Sequence, residues 1–406
     1  MTKTQTKAIA FLLGLLALFG SGVYVGVSEK QSYAAGDQVT ISLPGDIDMS
    51  QFWKAYQILN ENFVVTHASS SFPTPEKQVY GAIAGLVDSF DDPYTVFLPP
   101  SDAQLFQEDI SGSFGGVGME IDTTADGQIV VISPLKDTPA ARAGIRSGDI
   151  VLRIGTTSAS GLSTNQAIKR IRGPKGTAVE LTLSRKGEAK PLVVSVVRDT
   201  IQMPVLKSYK RDDGIFVIEL YSFSENSIGL FQEGLRQFIR SGSNTLILDL
   251  RGNPGGYLEA AVTMASYFLP VGDTVVTEDF RGKRTGKAHR SVGYNVFSGN
   301  KNFKMAVLTD QGSASASEIL AGALQQHGVA KLIGTRTFGK GSVQELIELG
   351  GGAELKITIA RWLTPNGSSI SEGGLQPDIK IDRTVEDVKA GKDPQTDAAV
   401  AYLLGK

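Results

Sequence analysis

A run of twenty uncharged, mostly apolar residues lies near the amino terminus. Lys3 and Lys7 precede this run, which covers residues 8–27. About 20 apolar residues span a bilayer, whereas the core of a signal peptide is usually about 7–15 residues long. The pattern predicts a retained membrane anchor within residues 1–28, and the alternative is a long cleaved signal that ends at "SYAAG" (32–36). Because the positive flank keeps the amino terminus cytoplasmic, both interpretations export the rest of the chain.

Helical periodicity follows in a region that extends over residues 29–110. Apolar side chains in residues 52–64 recur at the spacing of one helix face. Thr74, Pro75 and Glu76 are typical of a helix start, with a cap residue, a proline in the first turn and an acid near the positive end of the helix dipole. We interpret this region as a helical packing domain without chemistry of its own.

The pattern changes to alternating apolar and polar residues between residues 111 and 198. Residues 148–155 and 178–187 alternate as strands do, and residues 164–173 have helical spacing. This β-rich unit resembles a PDZ domain, which binds a peptide by adding it as a strand to its sheet. In that resemblance, the amides of a glycine-rich loop hold the terminal carboxylate of the peptide. The loop residues are Gly115, Gly116, Val117 and Gly118.

Buried strands alternate with amphipathic helices from residue 199 to residue 382. The strands are predicted at 244–250, 304–309 and 330–334, and the helices at 258–269 and 317–328. This alternation is typical of an α/β core covered by helices. The chain is therefore predicted to be a multidomain α/β (α+β) protein, and residues 383–406 are assigned to a C-terminal tail.

Composition excludes several classes of function. The 406 residues include 40 Lys and Arg against 42 Asp and Glu, and the net charge is −2. A nucleic-acid-binding protein needs a concentrated positive field, which this balance does not supply. The chain has no cysteine, so disulfides, thiolate metal sites and a cysteine nucleophile are excluded. Three scattered histidines without paired acidic residues predict no metal site.

The segment "GTRTFGKGS" (334–342) is one residue away from a phosphate-binding loop. Gly339 and Lys340 fit the pattern G-x-x-x-x-G-K, but Gly341 occupies the position of the magnesium-binding Ser or Thr. A phosphate loop also leads directly into a helix, whereas residues 342–363 have the pattern of a hairpin. We therefore interpret Lys340 as a general base whose pKa is lowered by burial toward neutrality.

A lysine base needs a nucleophile, and without cysteine a hydroxyl is the realistic choice. Ser313, Ser315 and Ser317 lie on a small-residue turn between a predicted buried strand and a helix. Small side chains let a substrate backbone approach, and the amide after the nucleophile can point into an oxyanion hole at the helix start. An ordinary helix cap is the alternative interpretation. The residue types alone do not select one of the three serines.

A Ser-His-Asp triad is the standard alternative to a serine and lysine pair. His67 lies among the predicted N-terminal helices, and His289 lies in a basic loop. His327 is near the end of the helix that begins by Ser317. None of these histidines has the setting of a catalytic residue, and we do not predict histidine-based catalysis.

Several motifs, in their order along the chain, resemble those of the carboxyl-terminal processing proteases, also called tail-specific proteases. "GSASASEILAGALQ" and "GTRTFGKGSVQ" carry the specific part of the resemblance. The PDZ-like unit supports it, as do "DDPYTVFL" (91–98), "LDLRGNPGG" (248–256), "TPNG" (364–367) and "GLQPDI" (374–379). The resemblance covers most of the chain between residues 50 and 380 and implies a serine endopeptidase with a Ser-Lys dyad.

The resemblance implies roles for individual residues. Ser315 is the implied nucleophile, Lys340 is the implied base 25 positions later, and Gln344 is implied to orient or hydrogen-bond the lysine. No cofactor is implied, and Lys340 would act as the base only when it is deprotonated. The amides implied for the oxyanion hole are those of Ala316 and of Gly255 or Gly256, between which the motif does not decide.

The resemblance and the anchor together imply partners and a location. The PDZ unit would capture protein or peptide substrates by apolar C-terminal tails, so cleavage would fall near chain ends. The protein is expected on the extracytoplasmic side, in the periplasm or at the cell envelope, either anchored to the inner or plasma membrane or secreted after signal cleavage. A homo-oligomer or an adaptor is compatible with the sequence, and nucleic acid is not an expected partner.

A non-enzymatic alternative is a membrane-anchored PDZ scaffold for exported protein tails, built on a degenerate α/β core. Such a scaffold has no reason to keep both Ser315 and Lys340 in settings rich in glycine and alanine, so the dyad distinguishes the two hypotheses. A separate question concerns Arg172, at the end of the predicted PDZ helix. It either links tail binding to the protease core or is a solvated loop arginine.

Overall fold

The structure is a computed structural model that describes residues 47–66, 72–124, 126–371 and 373–406. No helix in these ranges is both long enough and apolar enough to cross a membrane. The predicted anchor at residues 8–27 lies outside the described residues, and so does His67.

One helix, α1 (Ser50–Asn62), belongs to a unit that ends at Pro73. The helix predicted over residues 52–64 is therefore present. None of its residues is buried, and its apolar side chains include Trp53 and Leu59, which are 59% and 61% exposed.

The second unit, Thr74–Lys406, begins with the predicted helix start. Thr74 Oγ1 accepts a hydrogen bond from the Lys77 amide (3.2 Å), and Pro75 occupies the first helical position. The first elements of the unit are α2 (Pro75–Asp88), β1 (Val96–Leu98) and α3 (Pro100–Ser111).

Residues 113–202 form the β-rich unit that the alternating pattern predicts. Its elements are β2 (Ser113–Gly116), β3 (Met119–Thr123), β4 (Ile129–Pro134), α4 (Pro139–Arg142), β5 (Ile150–Ile154), β6 (Thr157–Ser158), α5 (Thr164–Ile171), β7 (Ala178–Ser184), β8 (Leu192–Val197) and β9 (Asp199–Gln202). The main sheet has the order β3-β4-β5-β7-β8 with β6 paired to β5, and β2 pairs with β9. Strand β3 is therefore an edge strand of its sheet.

The remaining elements form the α/β core. They are β10 (Leu206–Lys210), β11 (Phe216–Leu220), α6 (Ser227–Arg240), β12 (Thr245–Asp249), α7 (Leu258–Ser266), β13 (Thr274–Asp279), β14 (Lys287–Arg290), β15 (Lys304–Thr309), α8 (Ala316–Gln326), β16 (Ala330–Gly334), β17 (Ser342–Gly350), β18 (Ala353–Leu363), β19 (Ile379–Lys380), α9 (Val385–Lys389) and α10 (Pro394–Leu404). The predicted mixed α and β fold class is confirmed.

A six-stranded sheet lies at the centre of this core. Its order is β10-β11-β12-β15-β16-β19, and all neighbouring strands are parallel except β10 and β11. The apolar run at residues 244–250 reflects burial on both faces of the sheet. Leu248 belongs to a hydrophobic cluster with buried residues of α6, α7 and α8. Ile247 belongs to a different cluster, which includes buried residues of α10. The segment assigned to a C-terminal tail thus supplies a helix to the core.

A second, antiparallel sheet contains the hairpin that follows Lys340. Its order is β1-β18-β13-β14, and β17 pairs with β18. The hairpin predicted for residues 342–363 is confirmed, so no helix follows the segment "GTRTFGKGS". The segment leads into a strand and therefore lacks the helix N-terminus that a phosphate-binding loop requires.

Candidate active site

Three loops meet at one edge of the central sheet. The carboxyl ends of neighbouring parallel strands lie at the same edge, and β12, β15 and β16 are neighbours. The loop after β12 carries Gly255 and Gly256, the loop after β15 carries Ser315, and the loop after β16 carries Lys340. A hydrogen bond joins the loops after β12 and β15 directly: Ala314 N–H donates to Asn253 O (3.0 Å). Residues distant in the sequence thereby line one cavity of about 660 Å³.

The structure separates the three serines of the turn. The Ser313 hydroxyl donates to Leu250 O (2.8 Å), the Ser317 hydroxyl donates to Asn253 O (2.9 Å), and both residues are fully buried. Ser315 borders the cavity instead, immediately before helix α8. Its backbone has φ 56° and ψ −117°, a conformation that is strained for a residue with a side chain. A sharp, strained turn between a strand and a helix is the setting in which hydrolases expose a nucleophilic serine.

The glycine loop after β12 lies against this turn. A Cβ atom on Gly255 would be 2.7 Å from Ala314 O and 2.8 Å from Ser315 Cβ, so a side chain there cannot be accommodated. The Gly255 amide donates to Asn253 Oδ1 (2.9 Å). The amides of Gly256 and Ala316 border the cavity and have no acceptor among the described residues. Of the two glycines between which the motif did not decide, Gly256 therefore has the available donor.

Asn253 holds the glycine loop in place, and sequence reasoning did not single it out. The side chain is fully buried, and its Nδ2 donates to Leu220 O at the end of β11 (2.7 Å). Its Oδ1 accepts from Gly255, and its backbone oxygen accepts from the Ala314 amide and the Ser317 hydroxyl. One buried asparagine thus connects the glycine loop to the serine turn and to the neighbouring strand.

Lys340 is half-buried in the same cavity. Its Nζ lies 5.7 Å from the centre of the Tyr94 ring and makes no ion pair within the part of the chain that the structure describes. Tyr94 belongs to the motif "DDPYTVFL", which leads into β1 and is fixed by hydrogen bonds from Tyr94 N–H and Thr95 Oγ1 to Asp92. Because β1 pairs with β18, the motif brings an aromatic ring to the lysine.

The surroundings of Lys340 favour its neutral form. Burial lowers the pKa of Lys340, repulsion from Lys356 lowers this pKa further, and the Glu318 carboxylate opposes both effects. Lys356 borders the same cavity, and its ammonium lies 5.2 Å from the centre of the Phe106 ring on α3. A neutral lysine amine can accept a proton, as a general base must.

Replacing Lys356 is expected to shift the pH dependence of the chemistry. In Lys356→Gln, the pKa of Lys340 rises because the repelling cation is gone, so a base-dependent rate reaches its plateau at higher pH. Rates of wild type and variant should converge above the shifted pKa, and Lys356→Arg should retain the wild-type profile. Single-turnover acylation across pH 5–10 measures this. Superimposable profiles for wild type and Lys356→Gln would contradict the electrostatic role.

A buried carboxylate clamps the serine turn to the lysine loop. Glu318 is fully buried, and its Oε2 accepts from the amides of Ser315 and Lys340 (2.9 Å each). Its Oε1 accepts from the Gly339 amide (2.8 Å) and from the Thr337 hydroxyl. Burial raises the pKa of Glu318, while the four hydrogen bonds oppose that rise. A nucleotide phosphate would need the loop amides of Gly339 and Lys340 as donors. These amides already donate to the carboxylate of Glu318.

Gln344 lies beside the cavity but does not bind Lys340 in this conformation. Its Nε2 donates to Ser342 Oγ (2.7 Å) and to Thr358 Oγ1 (3.4 Å). No hydrogen bond joins Gln344 to Lys340 within the described residues, and its implied role in orienting the lysine stays a prediction.

The histidines within the described residues have other partners. His289 Nε2 is 2.6 Å from Glu278 Oε1, and His327 Nε2 is 2.8 Å from Thr274 O. Neither residue borders the cavity that contains Ser315. In the part of the chain that the structure describes, no group of three potential ligands could hold a metal ion.

The predicted peptide-binding loop spans the end of one strand and the following turn. Gly115 and Gly116 lie in β2, paired with β9, whereas Val117 and Gly118 precede β3. The amides of Val117 and Gly118 have no acceptor among the residues described. The structure thus combines free loop donors with an edge strand, the two features that strand addition of a peptide requires.

Arg172 is packed rather than solvated, so the interpretation as a solvated loop arginine is wrong. Its side chain is 16% exposed, and its guanidinium lies 4.0 Å from the centre of the Phe114 ring. Its Nη1 donates to Asp109 Oδ1 (2.7 Å) on α3, and Asp109 borders the cavity of Ser315. Arg172 therefore connects the end of α5 with a helix that lines the candidate active site.

Comparison with known proteins identifies the family. Residues 214–381 match the model of peptidase family S41, and residues 107–184 match the PDZ domain model. The chain is 34% identical over 406 residues to the carboxy-terminal processing protease CtpA of Bacillus subtilis (strain 168), covering 99% of this chain and 82% of that protein. It is 33% identical over 376 residues to CtpB of the same organism, covering 91% and 76% of the two chains.

A solved structure shows the same architecture. The photosystem II D1 C-terminal processing protease superposes with a TM-score of 0.51 at 26% identity, covering 82% of this chain and 86% of that one. Fold and site thus define a serine peptidase that carries a PDZ domain. The chain belongs to peptidase family S41, the carboxy-terminal processing proteases, as the sequence motifs predicted.

Proposed function

We propose that this protease cleaves polypeptides near their C-termini with a catalytic dyad of Ser315 and Lys340. One observation carries the proposal: Ser315 shares a cavity with a half-buried lysine, while the hydroxyls of Ser313 and Ser317 are bound to backbone oxygens. A non-catalytic scaffold would not require the strained backbone conformation of Ser315.

Each step follows from the groups at the cavity. Neutral Lys340 accepts the hydroxyl proton while Ser315 Oγ attacks the peptide carbonyl. The amides of Gly256 and Ala316 donate to the oxyanion, and the Lys340 ammonium then gives its proton to the leaving amine. Lys340 next deprotonates a water molecule, which attacks the acyl-enzyme ester. The Lys340 ammonium then returns that proton to Ser315 Oγ as the acid product leaves. The net reaction is hydrolysis of one peptide bond by one water molecule.

Capture of the substrate tail is assigned to the PDZ domain. The terminal carboxylate would accept from the amides of Val117 and Gly118, and the tail would extend the sheet beside β3. Apolar tail residues would then face the groove between β3 and α5. For location, we propose that residues 8–27 export the chain and attach it to the membrane, or are cleaved after export.

Cleavage of matched substrates tests this function. A partly unfolded protein with an apolar C-terminal tail is incubated with the full chain, and fragment masses locate the cut. The same substrate with an amidated C-terminus lacks the carboxylate and should be cleaved more slowly, with a higher KM. Ser315→Ala serves as the inactive control. Equal cleavage by wild type and Ser315→Ala would reject the dyad, whereas equal cleavage of both substrates would reject tail capture.

Arg172→Ala is expected to reduce cleavage of tail-bearing substrates by about tenfold and to leave cleavage of amidated substrates unchanged. The reason is that Arg172 joins α5 to α3 through a charge-assisted hydrogen bond to Asp109. Such bonds contribute about 1.5–3 kcal/mol, and the 60% exposure of the Asp109 side chain favours the lower end of that range. Arg170→Ala is the matched control, because Arg170 lies on the same helix, is exposed and donates to Gln166 O. An unchanged dependence on the tail in Arg172→Ala would contradict this linking role.

A further inference from the structure

A second cavity, of about 450 Å³, lies along strand β18. Strand β1 pairs with residues 354–356 of β18, and β13 pairs with residues 361–363, so residues 357–360 pair with neither strand. The cavity lies at this interval, because Thr358, Ile359 and Ala360 line it. The turn between β13 and β14 forms its other wall through Phe280, Arg281 and Lys283.

The hairpin beside this cavity has a high positive charge on a chain whose net charge is −2. Residues 280–290 contain five cations and no acid. The two acids that precede them are already engaged, since Glu278 binds His289 and Asp279 binds Arg361. Lys283 has no ion-pair partner in the described ranges, and none of the described lining residues is acidic. The five cations are Arg281, Lys283, Arg284, Lys287 and Arg290.

One residue connects this cavity with the catalytic cavity. Ser342 lines this cavity and also the cavity of Ser315 and Lys340, so the two spaces adjoin.

We propose that this second cavity is a subsite for an acidic side chain of the polypeptide substrate, next to the bond that is cut. A carboxylate there would accept from Lys283 and Arg281, which both line the cavity. Because Ser342 lines both cavities, a polypeptide bound in the catalytic cavity would lie next to this space, which favours a polypeptide over other anions. The subsite rests on the proposed function, since it is defined relative to the scissile bond.

A charge scan of the substrate tests this subsite with the full-length protein. Glutamate and glutamine are compared at successive positions on both sides of the mapped cut, in substrates with identical C-terminal tails. Wild type should prefer glutamate at one or two adjacent positions by about fivefold in kcat/KM, and added salt should reduce the preference. Lys283→Gln should bring the ratio close to one, and Lys283→Glu should invert it.

Lys287→Gln is the matched control, because Lys287 has the same charge on the same hairpin but does not line the cavity. It should retain the glutamate preference. A wild-type ratio of one at every position would overturn the subsite while the cleavage itself upheld the proposed function. An equal loss of the glutamate preference in Lys283→Gln and Lys287→Gln would also overturn the subsite. The preference would then come from the overall positive charge of the hairpin and not from the cavity. Binding to anionic lipid vesicles that depends on Lys283, without a substrate preference, would assign the cavity to a different ligand.

Discussion

Ser315→Ala is expected to lower kcat/KM by about 10⁴-fold or more, with unchanged binding of C-terminal tail peptides. Removing the nucleophile from a hydrolase eliminates the acyl-enzyme route and leaves the contribution of the oxyanion hole and substrate binding. Fragment masses and tail-peptide binding, measured on the same preparation, separate loss of chemistry from loss of folding. Ser208→Ala, at a half-buried serine outside the cavity, is the control.

Lys340→Ala should lose about 10²–10⁴-fold in kcat/KM, the usual contribution of a general base. Lys340→Arg should be equally inactive, because a guanidinium keeps its positive charge at every accessible pH and cannot accept the serine proton. In wild type, single-turnover acylation should rise with pH through the lowered pKa of Lys340 and then level off. Lys331→Ala, which removes an exposed lysine, is the control. An active Lys340→Arg enzyme, or a flat profile from pH 5 to 9, would refute the base.

Glu318→Gln is expected to destabilise the fold by about 2–4 kcal/mol and to lower kcat by about 10²-fold. A carboxylate accepts the four donors present, whereas an amide would turn its own NH₂ group toward two of them. The turn of Ser315 and the loop of Lys340 would then separate, and a misplacement of about 1 Å can cost about 10²-fold in rate. Urea unfolding and serine-directed labelling measure the two effects.

Glu259→Gln is the control for Glu318, because Glu259 also borders the catalytic cavity but is exposed. Its stability and labelling rate should remain close to those of wild type. A Glu318→Gln protein with wild-type stability and wild-type labelling would show that the clamp does not position the dyad.

Local patterns were enough to predict most of the fold. The strand predicted at 330–334 is observed at Ala330–Gly334, and the helix predicted at 317–328 is observed at Ala316–Gln326. Burial on both faces produces continuous apolar runs, and such runs are visible in the sequence without knowledge of partners. The C-terminal helix was not predicted. Its contacts to the core sheet through Ala399 and Leu403 are long-range, and its local sequence gave little periodicity.

The candidate site could be predicted only in part. Motif resemblance indicated Ser315, but its exposure to the cavity depends on which hydroxyls find backbone acceptors, and those acceptors lie more than 60 residues away. Glu318 had a local signal, since Ser-x-x-Glu is the spacing of a helix capping box. Asn253 and Lys356 had none. Their contacts form only where loops and strands that are distant in the sequence come together. The topology of the two sheets determines where that happens.

The most direct test of the dyad is the position of a covalent adduct. The full chain is treated with a fluorophosphonate, which reacts with activated serine hydroxyls, and the modified peptide is identified by mass. One adduct per chain on Ser315, absent in Ser315→Ala and greatly slowed in Lys340→Ala, is the predicted result. An adduct on another residue, or equal labelling of all three proteins, would contradict the assignment of Ser315 and Lys340 as nucleophile and base.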